Sequence, residues 1–215
     1  MRTPTIAAVF LVVVAVLASS PARAGSTKDG VYLSNHGYQI TPPLSWTAVD
    51  GSNRGLYSET LPPSLLKADT KAYDVLFFDA ELPPAGDGPA ELQDSLMVMV
   101  IPSKGKAGDD ASVIFKESTE AFAKGIVAAM KPHLEKLFSN VESKSAVAGK
   151  HGAIDTIDLL WGVAGEGGSN EGFILQTIIP GPEYTLLVTC SLGKARYEER
   201  KDACVAAVDS VKLNP

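Results

Sequence analysis

Between residues 154 and 190 three extended segments follow one another through links with no helical pattern, and this stretch constrains the fold more than any other. In 154–163 the residues Ile157, Leu159, Trp161 and Val163 share one face and Asp158 takes the other, the period of two that marks a strand. Segment 173–179 follows the glycine-dense link 162–172, and segment 184–190 follows the turn Pro180-Gly181-Pro182. Parallel neighbours need a crossover of roughly a dozen residues, usually helical, so these links predict an antiparallel meander.

The flanking sequence adds strands before it and helices on either side. Val31 to Leu33 and Tyr38 to Ile40 flank the turn formers Ser34-Asn35-His36-Gly37 and predict a hairpin. Residues 45–49 resume an extended run with Trp46 inward, closed by the turn Asp50-Gly51-Ser52-Asn53. Residues 57–71, with Leu61-Pro62-Pro63, read as loop. Segments 74–82 and 95–101 predict an antiparallel pair joined by the Gly-, Pro- and acid-rich connection 85–94. Asp109-Asp110 suits the start of a long helix whose stripe is Phe115, Phe122, Ile126, Met130 and Leu137, with Pro132 kinking or restarting it. The residues from there to Gly149 read as a connection. A terminal helix from about Tyr197 to Val211 carries Tyr197, Cys204, Val205, Val208 and Val211 on its apolar stripe. Helices that follow groups of strands, and do not alternate with single ones, predict an α+β fold.

The first 24 residues read as an export signal. Arg2 is the positive flank, Ile6 to Leu17 is an unbroken apolar run, and Ala22-Arg23-Ala24 offers small residues for cleavage after Ala24. The run is shorter than the roughly 18 residues of a spanning helix, so no integral membrane segment is expected after cleavage. No cysteine stands near the site to carry a lipid. Residues 25–215 then form one α+β domain of ordinary size, exported to a periplasm or secreted. Loss of Arg2 and Arg23 takes the formal charge from −6 to −8, and without a basic block nucleic acid and anionic membrane surfaces are poor partners.

Cys190 and Cys204 are the only cysteines. Cys190 shares a strand face with Tyr184, Leu186 and Val188, and Cys204 falls on the stripe of the terminal helix, so both thiols point to one interior. In an oxidising compartment that predicts a structural disulfide, worth about 3 kcal/mol on the chain-entropy model. Two buried free thiols are the alternative. A redox pair lacks the Cys-x-x-Cys spacing.

Gly37-Tyr38-Gln39-Ile40 followed by Pro43 and Ser45-Trp46 resembles the "GY-x-I … P-x-x-W" opening of the PsbP-like superfamily, which includes PsbP and exported proteins of the DcrB type. The ending Cys204 to Leu213 is similar to that group's closing helix and "S-x-x-L" tail. The resemblance implies an antiparallel β-sheet sandwiched by helices, an α/β/α sandwich with one long central helix and a C-terminal helix. It implies accessory or binding roles with differing partners, and no common cofactor or catalytic centre.

Candidate sites are few. His36, His133 and His151 have no metal-ligand spacing, and no catalytic, metal or cofactor-binding residue is assigned. His151 with Asp155 and a nearby serine is the one arrangement a spatially assembled hydrolase could use, although Gly167-Gly168-Ser169-Asn170-Glu171 is not a nucleophile elbow. The glycine cluster Gly165, Gly167 and Gly168, with Ser169 and Asn170, leads into a strand, not a helix, so it is a hairpin tip and a candidate contact loop, not a phosphate cradle. Trp46 and Trp161 lie in phase with apolar neighbours and read as core, not as a sugar platform. Asp79, Glu81, Asp87, Glu91 and Asp94 border one loop without the spacing of a calcium site. The sequence therefore points to an exported, non-enzymatic accessory or binding protein of the cell envelope with a protein partner of unknown identity. A hydrolase and a small-ligand or lipid carrier are the alternatives.

Overall fold

The computed structural model describes residues 25–53, 73–79, 92–102, 119–168, 171–181 and 183–213. The expected signal, the loop 57–71, most of the connection 85–94, the helix start at Asp109-Asp110, and Ser169 and Asn170 lie outside the described residues. Those described form a mixed α+β fold of two antiparallel sheets and two α-helices.

The small sheet contains β1 (Ser26–Lys28), β2 (Val31–Leu33), β3 (Tyr38–Ile40) and β11 (Lys212–Leu213), in that spatial order. The large sheet contains β4 (Trp46–Asp50), β5 (Val75–Asp79), β6 (Ser95–Pro102), β7 (Asn140–His151), β8 (Ile154–Ala164), β9 (Gly172–Pro180) and β10 (Tyr184–Gly193). Its order is β4-β5-β6-β10-β9-β8-β7. The meander predicted from sequence is present, and β10 joins it to β6 in antiparallel register, with Val188 opposite Val98. The helices are α1 (Thr119–Leu134) and α2 (Tyr197–Asp209).

Strand alternation divides the large sheet into two faces. On one, Val75, Phe77, Leu96, Val98, Leu186 and Val188 pack with Tyr32, Tyr38 and Ile40 of the small sheet and with Cys204 and Ala207 of α2. On the other, Ile157, Leu159, Trp161, Val163 and Ile174 receive Ala123, Ile126 and Leu134 of α1. Trp161 is fully buried and its indole N–H donates to Gln176 Oε1 at 2.8 Å, so its one polar group is satisfied. Trp161→Ala would remove a packed ring and cost about 3–5 kcal/mol.

Four expectations change. A single sheet was expected and there are two: β1, β2 and β3 pair with one another and not with the large sheet, and the C-terminal residues, read as a tail, join them as β11, pairing Lys212 with Gln39 and Leu213 with Tyr38. The residues up to Gly149, read as a connection, contain the 12-residue strand β7, which closes a hairpin with β8 through Gly152 at φ 60°. Its Ser-, Lys-, Ala- and Gly-rich composition hides the strand, since an edge strand needs little apolar surface. Helix α1 ends at Leu134, two residues past Pro132, so Leu137 leaves the expected stripe and is 73% exposed. By backbone proximity its nearest strand is the edge strand β7, and from there its buried side chains reach the β8 and β9 residues named above. Val205, placed on the buried stripe of the terminal helix, is 47% exposed.

Candidate functional site

Helix α2 packs on β9 and β10, where the disulfide Cys190–Cys204 fastens it, with a Cα separation of 6.2 Å. This is the bridge read from the sequence. The helix is too narrow to cover the same face of β8 and β7 as well. Between its outer flank and those strands runs a cleft of about 280 Å³.

The cleft has two chemically different ends, set by the direction of α2. Near its start, Tyr197 stacks on Phe173 with ring centroids 4.1 Å apart. From there Leu160, Leu175, Val205, Val208 and the disulfide form an apolar trough. Toward the helix C-terminus the lining becomes Thr156, Asp158, Thr177, His151 and Asp209. Alternation explains the sheet side: Thr156, Asp158 and Leu160 face away from the Ile157–Val163 core.

Gly149 makes the polar end possible. It stands opposite Thr156, and a Cβ there would overlap Asp158 Oδ2 and come within 2.7 Å of Thr156 Oγ1. The missing side chain lets the Asp158 carboxylate lie across β7. Its Oδ1 accepts a hydrogen bond from Thr177 Oγ1 at 2.8 Å. Two exposed apolar side chains stand here: Val205 of α2, 47% exposed, lines the cleft, and Val147 of β7, 52% exposed, lies opposite Asp158 in the strand register. Lys150, at the rim, lies 3.7 Å from Asp155 Oδ1.

His151 is buried and its Nε2 lies 2.5 Å from the Val211 carbonyl oxygen. A carbonyl only accepts, so Nε2 carries the proton and is committed to the main chain. Nδ1 faces Asp209 Oδ1 at 4.0 Å. The sequence paired His151 with Asp155, but Asp155 stands opposite Lys150 while His151 stands opposite Ile154, which puts Asp155 on the other face. The ring therefore acts as a clamp between the end of β7 and the residues after α2. As described, its proton faces a carbonyl, not a nucleophile.

Buried carboxylates elsewhere are also occupied with structure. Asp94, fully buried, accepts from Arg196 Nε at 2.7 Å, Arg196 Nη2 at 3.2 Å and the Gly193 amide at 3.0 Å, tying β6 to the approach to α2. Asp79 meets Arg200 at 3.3 Å. Asp74 Oδ2 accepts from Tyr38 Oη at 2.5 Å and Ser34 Oγ at 2.7 Å, and its Oδ1 lies 3.5 Å from His36 Nε2. Burial, then the Asp74 charge, pushes the Tyr38 phenol well above its ordinary range. Tyr32 is raised for the same two leading reasons. His133 is exposed in the last turn of α1. No group of three or more His, Cys, Asp or Glu side chains among the described residues could hold a metal.

Of the predicted contact loop, Gly165, Gly167 and Gly168 are described, with Glu166–Gly168 forming a 3-10 turn and Gly167 and Gly168 at φ 67° and 82°. They sit past Ala164, the far end of β8 from His151, so the loop and the polar end of the cleft are not one site. Trp46 and Trp161 are both buried, as core. Sequence reasoning missed Gly149, Thr177, Val205 and Asp209. The one signal for the cleft was Asp158 on the strand face opposite the apolar one.

No helix among the described residues is long and apolar enough to cross a membrane. No family model matches the sequence, and no curated protein matches it. Among solved structures, the chain is similar to the solution structure of cyanobacterial PsbP from Synechocystis, with 17% identity over 90% of this chain and 98% of that one, TM-score 0.48. It is also similar to LpqN, a protein involved in cell envelope biogenesis of Mycobacterium tuberculosis, with 12% identity over 83% of each chain, TM-score 0.48. A protein of unknown function from Pseudomonas aeruginosa matches at 17% identity over 65% of this chain and 82% of that one, TM-score 0.43.

Proposed function

We propose that residues 25–215 are the exported form of a non-enzymatic accessory protein of the cell envelope, and that it binds a protein partner at the α2–β7 cleft. One observation carries this reading: Val205 stands exposed in the lining of an open, largely apolar cleft, and Val147, opposite the cleft residue Asp158 in the β7–β8 register, stands exposed beside it. An exposed apolar pair beside a concavity is where a partner gains most from excluding water. The cleft's histidine supports binding over hydrolysis, since its Nε2 proton is held by a main-chain carbonyl. The leader at residues 1–24 and the disulfide support export. The loop Gly165 to Asn170 is a second, separate contact candidate.

The test is reversible crosslinking of the purified protein in its native envelope fraction, with wild type beside Val147→Lys/Val205→Lys and beside Glu166→Lys. One dominant partner lost in the double variant supports the reading and locates the surface. Undiminished capture by the double variant would move the surface elsewhere, and loss with Glu166→Lys alone would place it on the glycine loop.

A further inference from the structure

We infer that the cleft is an anchor pocket for one basic side chain, lysine or arginine, presented by the partner protein. This rests on the binding reading above and names what the partner must offer. Size is the first argument. A cleft of about 280 Å³ falls just below the roughly 300–1,000 Å³ of small-molecule sites, and suits a single long side chain.

The order of chemistry along the cleft is the second. A lysine or arginine is an apolar stem ending in a cation, and the cleft offers an apolar trough ending in acceptors. The stem would lie along Leu160, Leu175, Val205 and Val208. The cation would arrive at Asp158 and Asp209, where the carbonyl end of α2 adds a negative partial charge.

Charge balance is the third. Asp158 has one oxygen on Thr177 and the other laid across Gly149. Lys150, the cation at the rim, is drawn to Asp155 on the neighbouring strand. His151 spends its Nε2 proton on Val211 and approaches Asp209 no closer than 4.0 Å. An anionic guest would meet the charges of Asp158 and Asp209, and a purely apolar one would cover the half-buried Asp158 with Thr177 as its donor, which is costly. A cation pairs with them.

The experiment is a titration of the isotope-labelled protein, followed by amide NMR shifts, with capped single residues: Nα-acetyl-lysine methylamide, Nα-acetyl-arginine methylamide and the uncharged Nα-acetyl-norleucine methylamide. The basic probes should shift Gly149, Thr156, Thr177 and Val205 saturably and bind about fivefold more tightly than norleucine. Asp158→Asn and the exposed-site variant Asp209→Asn should each remove most of that preference while leaving the remaining spectrum in place. Equal binding of all three probes, or no saturable shift at these residues, would overturn the proposal. So would hexylamine binding as tightly as the capped residues, which would assign the cleft to free amines. Partner capture separates the two readings. Loss with the Val147/Val205 variant but not with Asp158→Asn/Asp209→Asn keeps the binding surface and removes the basic anchor. Capture insensitive to both sets removes both.

Discussion

Gly149→Ala is the substitution for which local rules and tertiary structure predict opposite signs. Glycine inside a strand is worse than alanine by about 0.5–1 kcal/mol, so backbone entropy alone predicts a gain. In the fold a Cβ at this position would overlap Asp158 Oδ2, and Thr156 Oγ1 would lie 2.7 Å from it. The carboxylate must swing away, which breaks its 2.8 Å bond from Thr177. A hydrogen bond to a charged group contributes about 1.5–3 kcal/mol, and the lower part of that range applies because Asp158 is half-buried. Setting the loss against the entropy gain leaves a net destabilisation of about 1 kcal/mol. With a urea slope of about 2 kcal/mol per M, the unfolding midpoint should fall by about 0.5 M. In an Asp158→Ala background the close contact left is the Thr156 hydroxyl, and the same glycine change should cost less. Urea denaturation of the four proteins of this double-mutant cycle measures the coupling directly. A rise in the midpoint for Gly149→Ala alone, or the same change in both backgrounds, would refute the reasoning and detach Gly149 from the cleft.

Three further outcomes follow from the same geometry. Arg196→Met leaves the fully buried Asp94 with the Gly193 amide in place of three donors, and should cost about 3 kcal/mol, a midpoint shift near 1.5 M urea; adding Asp94→Asn should restore most of it. Cys190→Ser/Cys204→Ser opens a bridge between residues 14 apart and should lose about 3 kcal/mol, with wild type under reductant matching the variant in the same urea series. Tyr32, Tyr38 and Tyr184 are all raised above the ordinary phenol value of 10.0, in each case chiefly by burial. The unfolded chain loses these protons near pH 10 while the folded one keeps them, so stability is intact below about pH 10 and falls as pH rises above it. Absorbance at 295 nm beside circular dichroism should show part of the phenolate signal appearing only with loss of fold; complete ionisation of a still-folded protein would contradict this.

What the sequence determined by itself is local. The meander, the Val31–Ile40 hairpin, the faces of β8 and β10, and the facing of Cys190 and Cys204 all follow from periods of two and 3.6 and from turn residues. These act between neighbours and leave their mark on every segment that buries one face. Strand β7 escaped because an edge strand with solvent beside it needs no apolar alternation, and β11 because two residues carry no period. The cleft was decided by tertiary structure alone. Helix α2 covers two strands of a four-strand meander, so Val205, at a core position by helical spacing, comes out exposed on the bank of a groove. Asp158, Thr177, Gly149 and Asp209 come from four separate elements, and only strand register and the seat of the helix bring them to one end of it. No spacing along the chain encodes that meeting, because sheet order is set by which faces can be buried together across the whole molecule.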